Sequence, residues 1–384
     1  MIHFRRLDHT EQVLAIARPV KEADDSLQFH ERESPREALE ALLMDALKTG
    51  TRTYVLFSGG RDSSGLLALT LLLARRMGVP DPLPVTIRHP QAEGSSENEW
   101  QELVLNHLGL REHHVLEFYG EQAWLGQMAQ TSLRRHGLLW PTASHIHGAV
   151  LGQLTPGAVI TGEGGDMAVS GRRITPLVDA VQALRPRRSL RVALALAKQS
   201  RTGHGFTAAL GQASPWLTPA GRELLSERIS FPTEPLRWNR AIRTAASLRP
   251  ARMIRLNYIA VVESFGHTSH NPLEHPRFIH ALAGAGGWWG LGDRTAMMRQ
   301  LFGDLLPDAV TARTTKAFFN ESRWTERERT FAREWTGEGV DHRYLNAELL
   351  RAEWLKQMPS TLSDIHLHAA WLASHGLPLA PDGS

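Results

Sequence analysis

Ser58-Gly59-Gly60-Arg61-Asp62-Ser63-Ser64 constrains this chain more than any other stretch. The residues before it, Thr53-Tyr-Val-Leu-Phe57, are β-branched and aromatic and predict a buried strand. The apolar run after it, from Gly65 to Ala74, ends in Arg75 and Arg76 and predicts a buried helix with a cationic last turn. A turn rich in Ser and Gly therefore joins a strand to a helix N-terminus. Backbone N–H groups in such a turn converge, and the helix dipole adds partial positive charge, which makes a cradle for phosphate. Gly59 and Gly60 let the backbone approach an anion, while Ser58, Ser63 and Ser64 add hydroxyl donors. Asp62 suits a phosphate site only if a magnesium ion lies between the two negative groups. No Gly-Lys-Ser/Thr follows, so this is not a Walker loop.

Composition narrows the class. With 384 residues, 42% hydrophobic and 22% charged, the chain suits one large or two ordinary globular domains. No apolar run approaches the roughly 18 residues that span a bilayer. The start, Met1-Ile-His-Phe-Arg-Arg, lacks the apolar core of a signal peptide, so a cytoplasmic location is expected, with no membrane partner. The chain has no cysteine, which excludes disulfides, thiolate zinc sites and a cysteine nucleophile. Nineteen histidines are present, but none stands in a helical His-Glu-x-x-His pattern. The basic cluster Arg185-Pro-Arg-Arg-Ser-Leu-Arg191 reads as a solvated loop, and nucleic acid is not an expected partner.

Strand and helix signals alternate through the first half. Ser34, Pro35 and Glu37 mark a capped helix running to Lys48. Leu83-Pro-Val-Thr-Ile-Arg88, His114-Val-Leu-Glu-Phe118 and Gly157-Ala-Val-Ile-Thr161 read as further strands. Residues 97–108 and 141–154 read as helices between them. The expected fold class is α/β, a doubly wound parallel sheet with its ligand at the carboxyl ends of the strands. Residues 1–34 read as an N-terminal arm and 35–176 as the α/β core. After about residue 176 strand signals stop, and 177–384 reads as a helical region completing the active site.

Thr161-Gly-Glu-Gly-Gly-Asp166 ends the fourth strand in a second glycine-rich acidic turn. Ser58 to Ser64 resembles the pyrophosphate loop of the N-type ATP pyrophosphatases, which split ATP into AMP and pyrophosphate. Together with the second turn, the chain resembles the synthetase domain of asparagine synthetases and their relatives. Ser95-Ser-Glu-Asn-Glu-Trp and Ala312-Arg-Thr-Thr-Lys-Ala-Phe-Phe319, with its Arg-x-x-Lys-x-x-Phe spacing, carry the likeness further. Glu263 to Phe278 is a weaker match, ending Asn271-Pro-Leu-Glu-His-Pro-Arg-Phe278 where the family has a Pro-Phe-Leu-Asp-like stretch. The likeness covers about residues 35 to 325.

The resemblance implies ATP and magnesium as cofactors. Ser58, Gly59, Gly60, Asp62, Ser63 and Ser64 would hold the pyrophosphate, with Asp62 and Asp166 turned towards the metal. Strand residues near Leu56 and Thr86 would offer backbone groups to adenine, and Gly162 would let the chain pass close to the nucleotide. Lys316 would stabilise charge at the α-phosphate when a carboxylate attacks. Glu163 would deprotonate the incoming amine. Should Glu163 fail in that role, His267 and Glu263 are the next candidates.

Two departures matter. The family turn reads Gly-Asp-Glu, but here it is Gly165-Asp166-Met167. An apolar residue there is shared with β-lactam-forming relatives. The family's glutaminase domain, which needs an N-terminal cysteine, has no counterpart in this sequence. The implied activity is an ATP-dependent, AMP-forming ligase that adenylates a carboxylate and joins it to an amine. Its ammonia or its substrate would come from a small molecule, a peptide or a separate protein. Macrolactam cyclization of a lasso-type peptide and small-lactam synthesis are alternatives within this chemistry. The thiolation of tRNA on the same loop usually needs cysteines, which are absent. A non-catalytic nucleotide-binding partner is the alternative of another class, and the presence of Asp62, Glu163, Asp166 and Lys316 speaks against it.

Overall fold

The computed structural model describes residues 3–22, 33–92, 97–199, 204–315 and 320–381. Its centre is a five-stranded, all-parallel sheet: β1 (Arg52–Leu56), β2 (Leu83–Arg88), β3 (His114–Glu117), β4 (Gly157–Ile160) and β5 (Thr268–His270), in the order β3-β2-β1-β4-β5. Tyr54 pairs with Leu83 on one side and Val159 on the other, which fixes the register of the three central strands.

Alternate residues of the sheet face opposite layers, as the pleat requires. Val55, Ala158 and Ile160 point into a core with Leu39 and Leu43 of the helix Pro35–Leu47, Leu66 of the helix Arg61–Met77, and Phe278 of the helix Pro276–Gly286. Tyr54, Val85, Leu116 and Val159 point the other way. They meet Val150 of the short helix Gly148–Leu151 and Val261 of the helix Arg249–Ser264. Both faces are thus covered by helices, and the central strands β1 and β4 are buried along most of their length, as parallel strands usually are.

The chain reverses its direction of winding between β1 and β4. The loops that leave the carboxyl ends of these two neighbours open a crevice, where parallel α/β sheets bind ligands. The loop after β1 is Ser58 to Ser64, and the turn after β4 is Thr161 to Asp166.

Several expectations change. The absence of strand signals after residue 176 is corrected by β5, which extends the sheet beside β4 from residues 268–270. Three residues with little burial carry no strand signature of their own. The helix expected over 141–154 is broken into a single-turn 3-10 segment, Thr142–His145, and the helix Gly148–Leu151. His145 is drawn inward there, bonded to Ser132 Oγ at 2.9 Å and to the Leu139 N–H at 3.1 Å. The loop expected at Arg185 to Arg191 is the start of the helix Pro186–Gln199, although it is solvent-exposed as expected. The described part of the N-terminal arm is fastened to the body: Arg249 holds the buried Glu11 carboxylate at 3.0 and 3.1 Å, and Asn257 exchanges two hydrogen bonds with the Arg5 backbone.

A further core joins Leu7 and Val13 of the arm to Trp124, Trp216, Trp354 and Leu367. Trp324, Trp335 and Trp371 belong to the same cluster. Among the described residues, no helix is long and apolar enough to cross a membrane.

Candidate active site

The loop after β1 is held mostly by its own polar groups. The Ser58 and Ser63 hydroxyls lie 3.1 Å apart, the Ser58 N–H points to Ser63 Oγ, and the Gly60 N–H donates to Ser58 Oγ at 3.3 Å. Gly59 has φ +81°, a left-handed conformation that favours glycine. A side chain there would also press on Gln101, whose Cγ would be 3.1 Å away. Gly60 is the N-cap of the 61–77 helix and has no side chain to occupy the exposed N–H groups. Those donors remain for an anion. Ser64 differs from the expectation: it is fully buried behind the loop and its hydroxyl has no hydrogen-bond partner.

The turn after β4 closes on this loop. A Cβ on Gly162 would come within 3.1 Å of the Ser63 nitrogen, and one on Gly165 would land on the Asp62 carboxylate. Gly164 has φ +82°, and a Cβ there would come within 2.5 Å of Glu274 Cβ. These glycines are what allow the two motifs to touch.

Asp62 and Asp166 are brought together by a cation that the sequence reading did not single out. Arg294, in the helix Arg294–Phe302, bonds Asp62 Oδ2 with one nitrogen and lies 2.9 Å from Asp166 Oδ1 with the other. Arg61 stands near enough to feel Arg294, Asp62 and Asp166. Burial pushes the Asp62 carboxyl above its ordinary pKa, the nearby Arg294 pulls it down, and the like charge of Asp166 adds to the rise. Asp62 Oδ1 is buried without a hydrogen-bond partner.

That orphaned oxygen tests the fit of a metal. An acceptor oxygen with no donor, beside a second carboxylate and a loop open to phosphate, suits a magnesium ion shared with a polyphosphate. Magnesium takes few protein ligands, so two carboxylates suffice. Among the described residues, no group of three or more His, Asp or Glu side chains is disposed to hold a metal by itself.

The two remaining segments of the resemblance also converge on the loop. The buried Arg313 donates to the Gly59 carbonyl at 3.0 Å and to Glu97 Oε1 at 2.8 Å, and its guanidinium stacks 4.5 Å over Trp100. Glu97 is the N-cap of the helix Asn98–Leu108, so one ion pair ties that helix, the phosphate loop and the late segment together. Lys316 lies outside the described residues, three positions beyond Arg313.

On the far side of the turn, Glu163 is exposed at the mouth of the crevice, and its N–H donates to Thr161 Oγ1 at 3.1 Å. Tyr258 hydrogen-bonds the same threonine from within the 249–264 helix; burial, with Glu163 nearby, holds its phenol in the protonated form. Glu274 lies under the turn. Asn271 donates to its Oε1 at 2.8 Å, and burial together with the Glu163 charge raises its pKa to about 7.

Leu56 closes β1, and Thr86 sits on the adjacent strand with its side chain fully buried, 3.5 Å from the His114 carbonyl. His267 is removed as a candidate base: its Nδ1 accepts the Gly157 N–H at 3.2 Å and its Nε2 bonds the Leu151 carbonyl at 3.0 Å. Gly157 begins β4, so His267 lies at the amino end of the sheet, opposite the crevice, and Glu263 precedes it on that same side. Met167 packs against the core, and the Arg172 guanidinium bonds its carbonyl.

Four functional candidates were missed in the sequence. Arg313 stands in the Arg-x-x-Lys-x-x-Phe segment, whose lysine is the residue that the resemblance singles out. Arg61 occupied the variable position of the phosphate loop. Glu274 lay in a weakly matched segment. Arg294 had no local signal at all, because its partner Asp62 is 232 residues away. A scan of protein-family models finds no match to the chain, and no curated protein matches it in sequence.

Proposed function

We propose that this chain is an ATP-dependent, AMP-forming amide ligase. The observation that carries the reading is the meeting of the Ser58–Ser64 loop and the Thr161–Asp166 turn at the point where the sheet order reverses, with Asp62 and Asp166 on one cation. The loop N–H groups and the start of the 61–77 helix bind the pyrophosphate end of ATP. Asp62 and Asp166 would hold a magnesium ion, and Arg61 and Arg294 would offset phosphate charge that one metal ion leaves uncompensated. Magnesium, when bound, supplies charge neutralisation and orients the phosphates. Leu56 and Thr86 would offer backbone groups to adenine.

Lys316 stabilises charge at the α-phosphate as a substrate carboxylate attacks it. Arg313, bound to both Gly59 and Glu97, sets the path of the chain leading to that lysine. Glu163 receives the proton of the amine that displaces AMP. Without cysteine the chain has no thiol to release ammonia from glutamine, so the amine arrives free, from a partner protein or on the substrate itself.

The products test this. The protein is incubated with magnesium-ATP, hydroxylamine as amine and a panel of small carboxylates and peptides, and the nucleotides are separated. Equal amounts of AMP and pyrophosphate with a hydroxamate product are expected; ADP with phosphate overturns the mechanism.

A further inference from the structure

A basic and apolar face, to which the ligase chemistry gives no task, is built on two parts of the helical half. The first is the helix Pro186–Gln199. At about 100° per residue, Arg187, Leu190, Arg191 and Leu194 fall on one side of it and Leu196 on the other. Leu196 is buried, whereas Leu190 and Leu194 are more than half exposed. Neither the Arg187 nor the Arg191 guanidinium has an ion pair or hydrogen bond with a described residue. The turn leading into this helix adds Leu184. It follows the helix Thr175–Gln182 where glycine is usual, with φ +52°, and it is 87% exposed. A leucine held in that strained conformation and left in water adds nothing to the fold.

The second part is the loop after the 276–286 helix, which presents Trp288 and Trp289. The Trp238 N–H donates to the Trp288 carbonyl at 3.0 Å and fixes the loop. The Arg237 guanidinium stacks 4.2 Å from the Trp288 ring, Trp289 lies 6.0 Å further on and is 59% exposed, and Leu236 is exposed beside them in sequence. Arg173 ties the two parts together, with one nitrogen on the Leu196 carbonyl at 2.6 Å and the other on the Glu234 carbonyl at 3.2 Å. Both parts are continuous with the crevice. Arg173 follows Asp166 by seven residues, and Trp289 precedes Arg294, the partner of Asp62 and Asp166, by five.

We propose that this face docks a polypeptide segment bearing acidic and apolar side chains and leads its end towards the crevice. Charge sets the partner. Residues 181–196 and 236–243 hold seven arginines and no Asp or Glu, in a chain whose formal net charge is only +3. Arginine and tryptophan at an exposed apolar surface are the side chains that anchor protein partners, and the arginines would steer an acidic one. A second copy is disfavoured, because a two-fold contact would set this basic face against itself. A chain can also continue from the face into the crevice, which a lipid surface cannot. The docking stands without the ligase reading; that the docked segment carries the reacting carboxylate or amine rests on it.

Fluorescence anisotropy with the full chain tests it. The probes are a labelled amphipathic peptide of glutamate, leucine and alanine, and a second with lysine in place of each glutamate. The glutamate peptide should bind saturably, more weakly as salt is raised, and the lysine peptide should not bind. Arg187→Glu with Arg191→Glu, and separately Leu190→Ser with Leu194→Ser, should each weaken binding by about tenfold or more. Trp288→Ala, on the other part of the face, should do the same and keeps the test open if a helix variant fails to fold. Absence of binding, equal binding of the two peptides, or binding that ignores these variants overturns the proposal. So does tighter binding of phosphatidylglycerol vesicles or of a single-stranded RNA that is lost in the same variants, which would give the face to lipid or nucleic acid. Docking by a protein that forms no AMP in the product assay would uphold the surface and remove the ligase reading instead.

Discussion

Asp62 occupies a place that would be costly without its neighbours. It is largely buried, its carboxyl is raised by burial and by Asp166, and Arg294, in an ion pair, and the nearby Arg61 offset the charge. Neutralising it leaves Arg294 its pair with Asp166 at 2.9 Å, so no buried cation is stranded. Asp62→Asn should therefore fold at least as stably as wild type while losing magnesium-dependent nucleotide affinity by about tenfold or more, since a charged ligand becomes neutral. Chemical denaturation and calorimetry read the two effects separately; a variant that loses stability and keeps its affinity would make Asp62 structural. Arg313 is the opposite case. Its removal as Arg313→Gln breaks the buried ion pair with Glu97 and should cost about 3–5 kcal/mol. Adding Glu97→Gln to that variant should recover part of the loss in a urea titration. Additive losses would show that the two do not act as a pair.

The elements explain which parts of this molecule could be read in advance. The β1 strand, its loop and the 61–77 helix were legible because every signal was local: an apolar strand, two glycines, a buried helix closed by Arg75, Arg76 and Gly78. The 35–47 helix was legible for the same reason, and its capping box forms as the spacing requires, with the Ser34 N–H on Glu37 Oε2 at 2.8 Å. Ser34→Ala should cost about 1 kcal/mol in thermal unfolding; no change would mean that packing alone fixes this helix end. β5 was illegible. It is three residues long, and it is a strand only because β4, about a hundred residues earlier, offers its edge. Separation in sequence likewise hid Arg294 from Asp62, 232 residues away, and Glu274 from Gly164. The two phosphate-side motifs could be named from the sequence, but their contact could not, because it is made by the absence of side chains at Gly162 and Gly165. Gly165→Ala should displace the Asp62 carboxylate and weaken nucleotide binding as strongly as Asp62→Asn; equal affinity to wild type would show that the two turns do not meet in solution.

At the scale of the whole molecule, the tryptophan-rich core beside the sheet sets the response to acid. Burial pushes His366 and His368 down from 6.5 to about 4. Below pH 6.5 the unfolded chain takes up protons that these folded histidines refuse. Their contribution to stability is complete above that pH and is lost as the pH falls towards 4. Glu274 works the other way, since a raised acid contributes stability at low pH that is lost as the pH rises from 4.5 towards 7. Comparison with wild type separates the two: His366→Gln with His368→Gln should lose less stability between pH 7 and pH 5 than the parent. An equal loss would place the acid sensitivity elsewhere.

The sheet, the two turns and the arginines all converge on one claim, that magnesium-ATP binds in the crevice between β1 and β4. Isothermal titration of ATP into the protein tests it most directly, run with magnesium, with a chelator in its place, and with Asp62→Asn. Saturable binding at one site is expected with magnesium, weakened by about tenfold or more when the metal is removed or Asp62 is neutralised. An absence of binding at millimolar magnesium-ATP, or binding indifferent to both the metal and Asp62, would contradict the account.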